Sequence, residues 1–294
     1  YQEKADEKIS FYPIEYQERL DDLVSGIGKE VCSPVSLDEE GIGSAGFNAV
    51  SKTDLSPLAC MGFIRIGENG KAYICSKSEH YHTSLGHRFP GYRLLENARA
   101  IGISNATHNN TRGYITRHLE TELIREANDL EVDDKDGLET VLESRDPHVI
   151  NRVINLETGS LVVEAAIKMM LGRFYVSNPR MDYSPPYRER IPVFLVFADA
   201  GGSLEANYHG TTVIAQTMRG MWPEFAAKAE ESGLYLIRSV DINNIESFKE
   251  AVRTWDSAPY KIAGFLHELI LMNYAAVRID TSYIRKVYDI CHEN

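Results

Sequence analysis

The chain has 294 residues, 43% of them hydrophobic and 25% charged, and a formal net charge of −12. Such a balance describes an ordinary globular protein with length for one large or two medium domains and a substantial core. The acidic excess has no Lys/Arg cluster set against it, which argues against nucleic acid and anionic membranes as partners while leaving room for a local anion pocket.

In chain order, Tyr16 to Leu23 predicts a charged N-terminal helix, followed by a Gly/Ser-rich stretch around Gly41 to Gly46. Two short apolar runs, Met61 to Ile66 and Lys71 to Cys75, flank Gly67-Glu68-Asn69-Gly70 and predict a β-hairpin. Gly86-His87-Arg88-Phe89-Pro90-Gly91 reads as a loop. Arg117 to Asn128 predicts a helix, and the acidic run Glu131 to Asp136 a solvated loop. A helix is expected from Ser160 to about Arg173, then a Pro- and Tyr-rich loop from Asn178 to Glu189. Ile191 to Ala198 has the composition of a strand buried on both faces. Thr212 to Glu231 is helical in pattern but interrupted by Pro223, and Leu234 to Val240 is a second buried strand. Ile245 to Trp255 is a helix, Ile262 to Met272 a third strand, and Thr281 to His292 a closing helix capped by Thr281 or Asp280.

Strands alternating with helices predict an α/β fold with a mainly parallel sheet, helices on both faces and right-handed crossovers. An N-terminal α+β segment precedes it. The expected division is residues 1–95, with the hairpin and the Gly-His loop, and residues 96–294, the ligand-binding large domain. Ligands of such sheets sit at the carboxyl ends of the strands.

Three constellations carry the chemistry. Thr158-Gly159-Ser160 turns directly into the Ala-rich helix Leu161-Val162-Val163-Glu164-Ala165-Ala166-Ile167-Lys168. Unpaired N–H groups at a helix start cradle phosphate, Gly159 permits close approach, and Thr158 or Ser160 can cap or donate. A well-capped helix without ligand would read the same way. Asn207-Tyr208-His209-Gly210-Thr211-Thr212 lies between a strand and a helix, where Tyr208 can stack on a planar ring and His209 can hydrogen-bond. A surface turn is its plain alternative. His267-Glu268 ends the third apolar run, and a carboxylate there either orients a ligand or belongs to a structural ion pair.

These segments together resemble the class III pyridoxal-phosphate-dependent aminotransferases. Thr158-Gly159-Ser160 with Glu164-Ala165-Ala166-Ile167-Lys168 is similar to that family's Ser/Thr-Gly-Ser/Thr-Glu-Ala segment. Tyr208-His209-Gly210-x-Thr212 resembles its aromatic-His-Gly-x-Thr motif, and Gly86-His87-x-x-Pro90 its Gly-His-x-x-Pro loop. Gly67 to Tyr73 fits the hairpin with Asp-x-x-Gly-x-x-Tyr, Phe265 to Glu268 the Glu-Pro-x-Gln strand end, and Ile284 to Glu293 the helix after it. The motifs occur in family order over roughly residues 60–294.

The resemblance implies a fold-type I architecture with pyridoxal 5'-phosphate as cofactor, in a homodimer with interfacial active sites. The implied reaction moves an amino group between an amine or amino acid and an oxo acid. Thr158, Gly159 and Ser160 would hold the phosphate, Tyr208 would stack on the ring, and His209 and Glu268 would complete the cofactor site. Aminomutases and lyases share these motifs, and a non-catalytic dimeric relative is the other reading.

Several positions depart from the family. Leu161 stands at an acidic position, Leu269 for Pro, Leu271 for Gln, and Asn273 for a Glu often used to gate substrate carboxylates. The resemblance places the pyridine-nitrogen Asp and the Schiff-base lysine beyond Asn294, so the large domain is expected to be incomplete and the chain a piece of a longer protein. Lys168 belongs to the phosphate-site helix and is expected to face solvent or an ion-pair partner. His80-Tyr81-His82 with His87 has two-ligand spacing but no completing Cys or carboxylate, so it reads as a polar loop with no metal. The widely spaced Cys32, Cys60, Cys75 and Cys291 are expected as free buried thiols of a cytoplasmic protein. No apolar run reaches membrane-spanning length, and no signal peptide opens the chain as it stands.

Overall fold

An antiparallel meander organises the first part of the chain and a parallel sheet the second. The computed structural model describes residues 1–35, 42–51, 53–75, 85–103, 112–180 and 182–294. They form two compact units, Tyr1–Leu119 and Glu120–Asn294, so the division falls after residue 95, within a helix. His80, Tyr81, His82 and Gly41 lie outside the described residues.

The first unit contains helices α1 (Gln2–Asp6), α2 (Ile14–Val24), α3 (Ala45–Val50) and α4 (Arg93–Ala100), and strands β1 (Pro57–Met61), β2 (Ile64–Gly67) and β3 (Ala72–Ile74). The predicted hairpin is β2–β3, paired antiparallel with Ile64 opposite Ile74 and Ile66 opposite Ala72. At its tip Gly70 takes φ +74°, and the Asn69 side-chain oxygen accepts from the Lys71 N–H at 3.1 Å. The run Met61 to Ile66 is not one strand, however. Gly62 turns the chain with φ +55°, so that Met61 pairs with Ile64 across a further antiparallel pairing, β1–β2. A Cβ on Gly62 would sit 2.5 Å from the Leu20 side chain, so the turn is also the place where α2 docks. Tyr16 and Leu20, one helical turn apart on α2, are both buried. Gly62 and His87 exchange backbone hydrogen bonds of 2.7 and 3.1 Å, and the Tyr16 hydroxyl donates to the His87 carbonyl at 2.9 Å.

Helix α5 (Tyr114–Ala127) contains the division, and α6 (Lys135–Glu143) follows. The acidic run is more ordered than a solvated loop. Asp134 caps α6 by accepting from the Gly137 N–H at 2.8 Å, and the buried Arg125 guanidinium donates to the Glu131 and Asp134 carbonyls.

The second unit is built on three parallel strands in the order β5 (Leu236–Asp241), β4 (Ile191–Ala198), β6 (Tyr260–Phe265). Strand β4 is central and buried from Pro192 to Ala198, as its unbroken apolar composition predicts. Its side chains alternate between two cores. Val193, Leu195 and Phe197 pack with α10 (Ile245–Trp255) and α11 (Thr281–Glu293), whereas Phe194 and Val196 pack with Ile167 of α7 (Gly159–Leu171) and Ala229 of α9 (Pro223–Glu231). Pro223 does not kink a long helix. It opens α9 at the first helical position, where its missing N–H costs nothing, after the short α8 (Val213–Thr217).

The third predicted strand requires correction. Strand β6 pairs only as far as Phe265, opposite Leu195, and the chain then bends. Ile270–Leu271 forms a separate two-residue strand, β7, antiparallel to β8 (Val277–Arg278). An apolar run reports burial but not the partner, so it could not show where pairing with β4 ends. Asp280 precedes α11 without a side-chain cap; its N–H instead donates to the Asn243 side chain at 2.9 Å. All four cysteines are free, but Cys32 and Cys291 are exposed and only Cys75 is buried. No helix among the described residues is long and apolar enough to cross a membrane.

Candidate functional site

Helix α7 begins with Thr158 in extended backbone, its hydroxyl accepting from the Leu161 N–H at 3.3 Å. The Val162 N–H closes onto the Thr158 carbonyl at 3.0 Å. Of the first-turn donors, those of Gly159 and Ser160 therefore remain without intrahelical acceptors, at the positive end of the helix dipole. Space is open where a Gly159 Cβ would lie. Thr158 thus acts through its cap, and the anion-facing donors are backbone groups.

The loop after β4 is pinned at Asn207, which is wholly buried. Its Oδ1 accepts from the Phe197 N–H at 3.2 Å, and its Nδ2 donates to the Phe197 carbonyl at 2.7 Å and the Leu204 carbonyl at 2.9 Å. Strand β6 has left the ladder by then, since its last register pair is Phe265 with Leu195. One side-chain amide continues the sheet where the backbone has ended.

Three residues later Gly210 has φ +106° and lies against the start of α7. A Cβ there would be 2.8 Å from Ser160 Oγ and 2.9 Å from Ser160 Cα. The Thr211 N–H donates to Ser160 Oγ at 3.2 Å, and the two hydroxyls are 3.3 Å apart. The two segments distant in sequence are therefore latched together, and the Ser160 hydroxyl serves that latch.

Tyr208 is 40% exposed, with the Arg219 guanidinium 5.7 Å from its ring centroid. His209 is buried, and its Nε2 has no hydrogen-bond partner among the described residues. Burial, followed by the neighbouring His267, lowers its pKa to about 4, so the imidazole is neutral at pH 7. Thr212 Oγ1 is likewise buried without a hydrogen-bond partner. His267 stacks on Phe265 with centroids 4.9 Å apart, and burial lowers its pKa too. Glu268 follows it, half-buried, just past the carboxyl end of β6.

The structure thus brings the α7 start and the Tyr208–Thr212 loop into contact, and sets His267 near His209 at the carboxyl end of the sheet. Asn207 and Thr211 fall in the segment the sequence singles out, but their structural roles, and Arg219 altogether, do not show in it, because these depend on contacts between segments apart in sequence. Lys168 is 72% exposed and 3.9 Å from Glu164, away from any buried role. Among the departing positions, Leu161 and Leu269 are exposed, Leu271 is wholly buried, and Asn273 Nδ2 is buried without a hydrogen-bond partner.

No family model and no curated protein matches the chain. Solved structures do. A transaminase from the marine bacterium Virgibacillus is similar over 86% of this chain and 50% of its own, with 15% identity and a TM-score of 0.53. Taurine:2-oxoglutarate aminotransferase from Bifidobacterium kashiwanohense, solved in complex with PLP and glutamate, is similar over 81% of this chain and 48% of its own, with 18% identity and a TM-score of 0.51. The chain spans about half the length of these structures. At such identities the likeness is one of fold, and the α/β architecture built on a parallel sheet is transaminase-like.

Proposed function

We propose that this chain carries the phosphate- and ring-binding part of a pyridoxal-phosphate-dependent aminotransferase of class III and fold type I, acting as a homodimer. The single observation behind this reading is the latch of Gly210 and Thr211 onto Ser160, which sets an aromatic loop beside a helix start with two free N–H donors. The residues fit the group: Gly159 leaves open space, Gly210 permits the close approach, and the His209 Nε2 is a buried polar atom without a partner.

Bound there, pyridoxal phosphate would supply the electron sink for amino-group transfer between an amine or amino acid and an oxo acid. The N–H groups of Gly159 and Ser160 would hold the phosphate, with the helix dipole adding to their attraction. Tyr208 would present its ring as a stacking surface, with Arg219 against it. His209, kept neutral by burial, would offer a hydrogen bond without adding charge. Glu268 would stand near the polar edge of the ring.

The test is titration of the 294-residue chain with pyridoxal phosphate, followed by quenching of intrinsic fluorescence. Saturable binding that inorganic phosphate competes away is expected. Tyr208→Ala should weaken it about tenfold, from the stacking contribution and lost contact area. Quenching that fails to saturate, or that phosphate leaves unchanged, overturns the proposal.

A further inference from the structure

We propose that the first unit contains a separate binding site for an apolar-tailed monocarboxylate, between α2 and the β1–β2–β3 sheet. A cavity of about 370 Å³ lies there, within the range of roughly 300–1,000 Å³ usual for small-molecule sites. Its walls are apolar: Leu23 of α2 faces Met61, Ile64, Ile66 and Ala72 of the sheet. The strand register explains the wall. Met61 pairs with Ile64, and Ile66 pairs with Ala72, so these side chains share one face.

Arg19 and Arg88, both exposed, are also among the lining residues, and neither makes an ion pair with a described residue. Asp22 is the one carboxylate among the described lining residues, so the two arginines outnumber it there. Arg88 is placed with some strain. It holds φ +56°, a backbone region that non-glycine residues seldom adopt. The preceding residue, His87, is fixed by its two backbone bonds to Gly62 and by the Tyr16 hydroxyl. Two cationic side chains beside an apolar cavity match a ligand with one carboxylate and a hydrocarbon tail. Arg is the side chain suited to that head group, since it can bond both carboxylate oxygens. The site lies entirely within residues 19–88 and shares no residue with the candidate cofactor site.

The experiment is calorimetric titration of the 294-residue chain with octanoate, beside 1-octanol and leucine. Saturable octanoate binding is expected, with octanol at least tenfold weaker. Arg19→Gln and Arg88→Gln should each weaken octanoate about tenfold or more, the scale of one charge-assisted bond of roughly 1.5–3 kcal/mol. Ala59→Trp, at an exposed position in the lining, should block binding with both arginines in place. Circular dichroism confirms that each variant is folded, and a variant that is not is replaced by Arg→Lys at the same position, for which at least a threefold loss is expected. No octanoate binding, equal binding of octanol, preference for leucine, or binding unaffected by the Arg variants would each overturn the proposal.

Discussion

Replacing Asn207 by Ala should be among the most damaging polar substitutions in the second unit. The side chain is wholly buried and supplies three hydrogen bonds, two to Phe197 and one to Leu204. Its loss strands the Phe197 N–H and carbonyl, whereas the Leu204 carbonyl keeps the Asn207 backbone N–H at 3.1 Å, and each buried group left unpaired costs about 1–3 kcal/mol. Allowing for relaxation, the loss should be about 3–5 kcal/mol, a large share of the roughly 5–15 kcal/mol that stabilises an ordinary domain. Asn207→Asp keeps the acceptor for the Phe197 N–H but sets a carboxylate oxygen against two carbonyls, so it should be at least as destabilising as Ala. Urea unfolding reads both as a lower midpoint at unchanged slope. A loss below about 1 kcal/mol for Asn207→Ala would mean that the amide does not extend the sheet, and the reasoning that pins the Tyr208 loop to β4 would fail.

Gly210→Ala should cost about 1–3 kcal/mol through its φ of +106° alone. The new methyl also drives the loop off Ser160, so thermal stability and pyridoxal phosphate affinity should fall together. Adding Ser160→Gly removes the Oγ and Cβ contacts but leaves the Cα at 2.9 Å, so it should recover only part of the melting temperature. Full recovery would assign the whole cost to the side chain. His209 gives a pH dependence of definite sign. Its folded pKa of about 4 lies below the ordinary 6.5, so the unfolded chain takes up the proton first. The stability it contributes is present above pH 6.5 and is lost as pH falls towards 4, by about 3 kcal/mol over that window. The lowered pKa of His267 acts in the same direction. His209→Asn should flatten the slope measured by denaturant unfolding at pH 7 and pH 4.5, and an unchanged slope would place the acid sensitivity elsewhere. Lys261 and Asp256 form a mostly buried pair at 2.7 Å, and removing one partner leaves the other charge stranded. Asp256→Asn should accordingly cost about 3–5 kcal/mol in urea unfolding, whereas a loss under 1 kcal/mol would show the lysine escaping to solvent.

Elements whose own residues carry the signal can be read from the chain alone. Ile191 to Ala198 is apolar without alternation because β4 is buried on both faces, and no partner needs to be known to read that. Asn69-Gly70 marks the hairpin because the turn conformation is local. Thr158 marks the start of α7 because the cap is made three residues away. Folding alone sets the places where one segment's geometry is imposed by another. Strand β6 ends at Phe265 because its register with β4 stops there, although the apolar run continues to Met272. Gly62 breaks an apparent strand because Leu20 of α2 packs against it. Asn207 is a strand extension and Ser160 a latch only once β4 and α7 have been brought alongside the loop. A composition or a period reports whether a residue is buried and how its neighbours face, but hydrogen bonds between distant segments depend on distances that exist only in the folded chain.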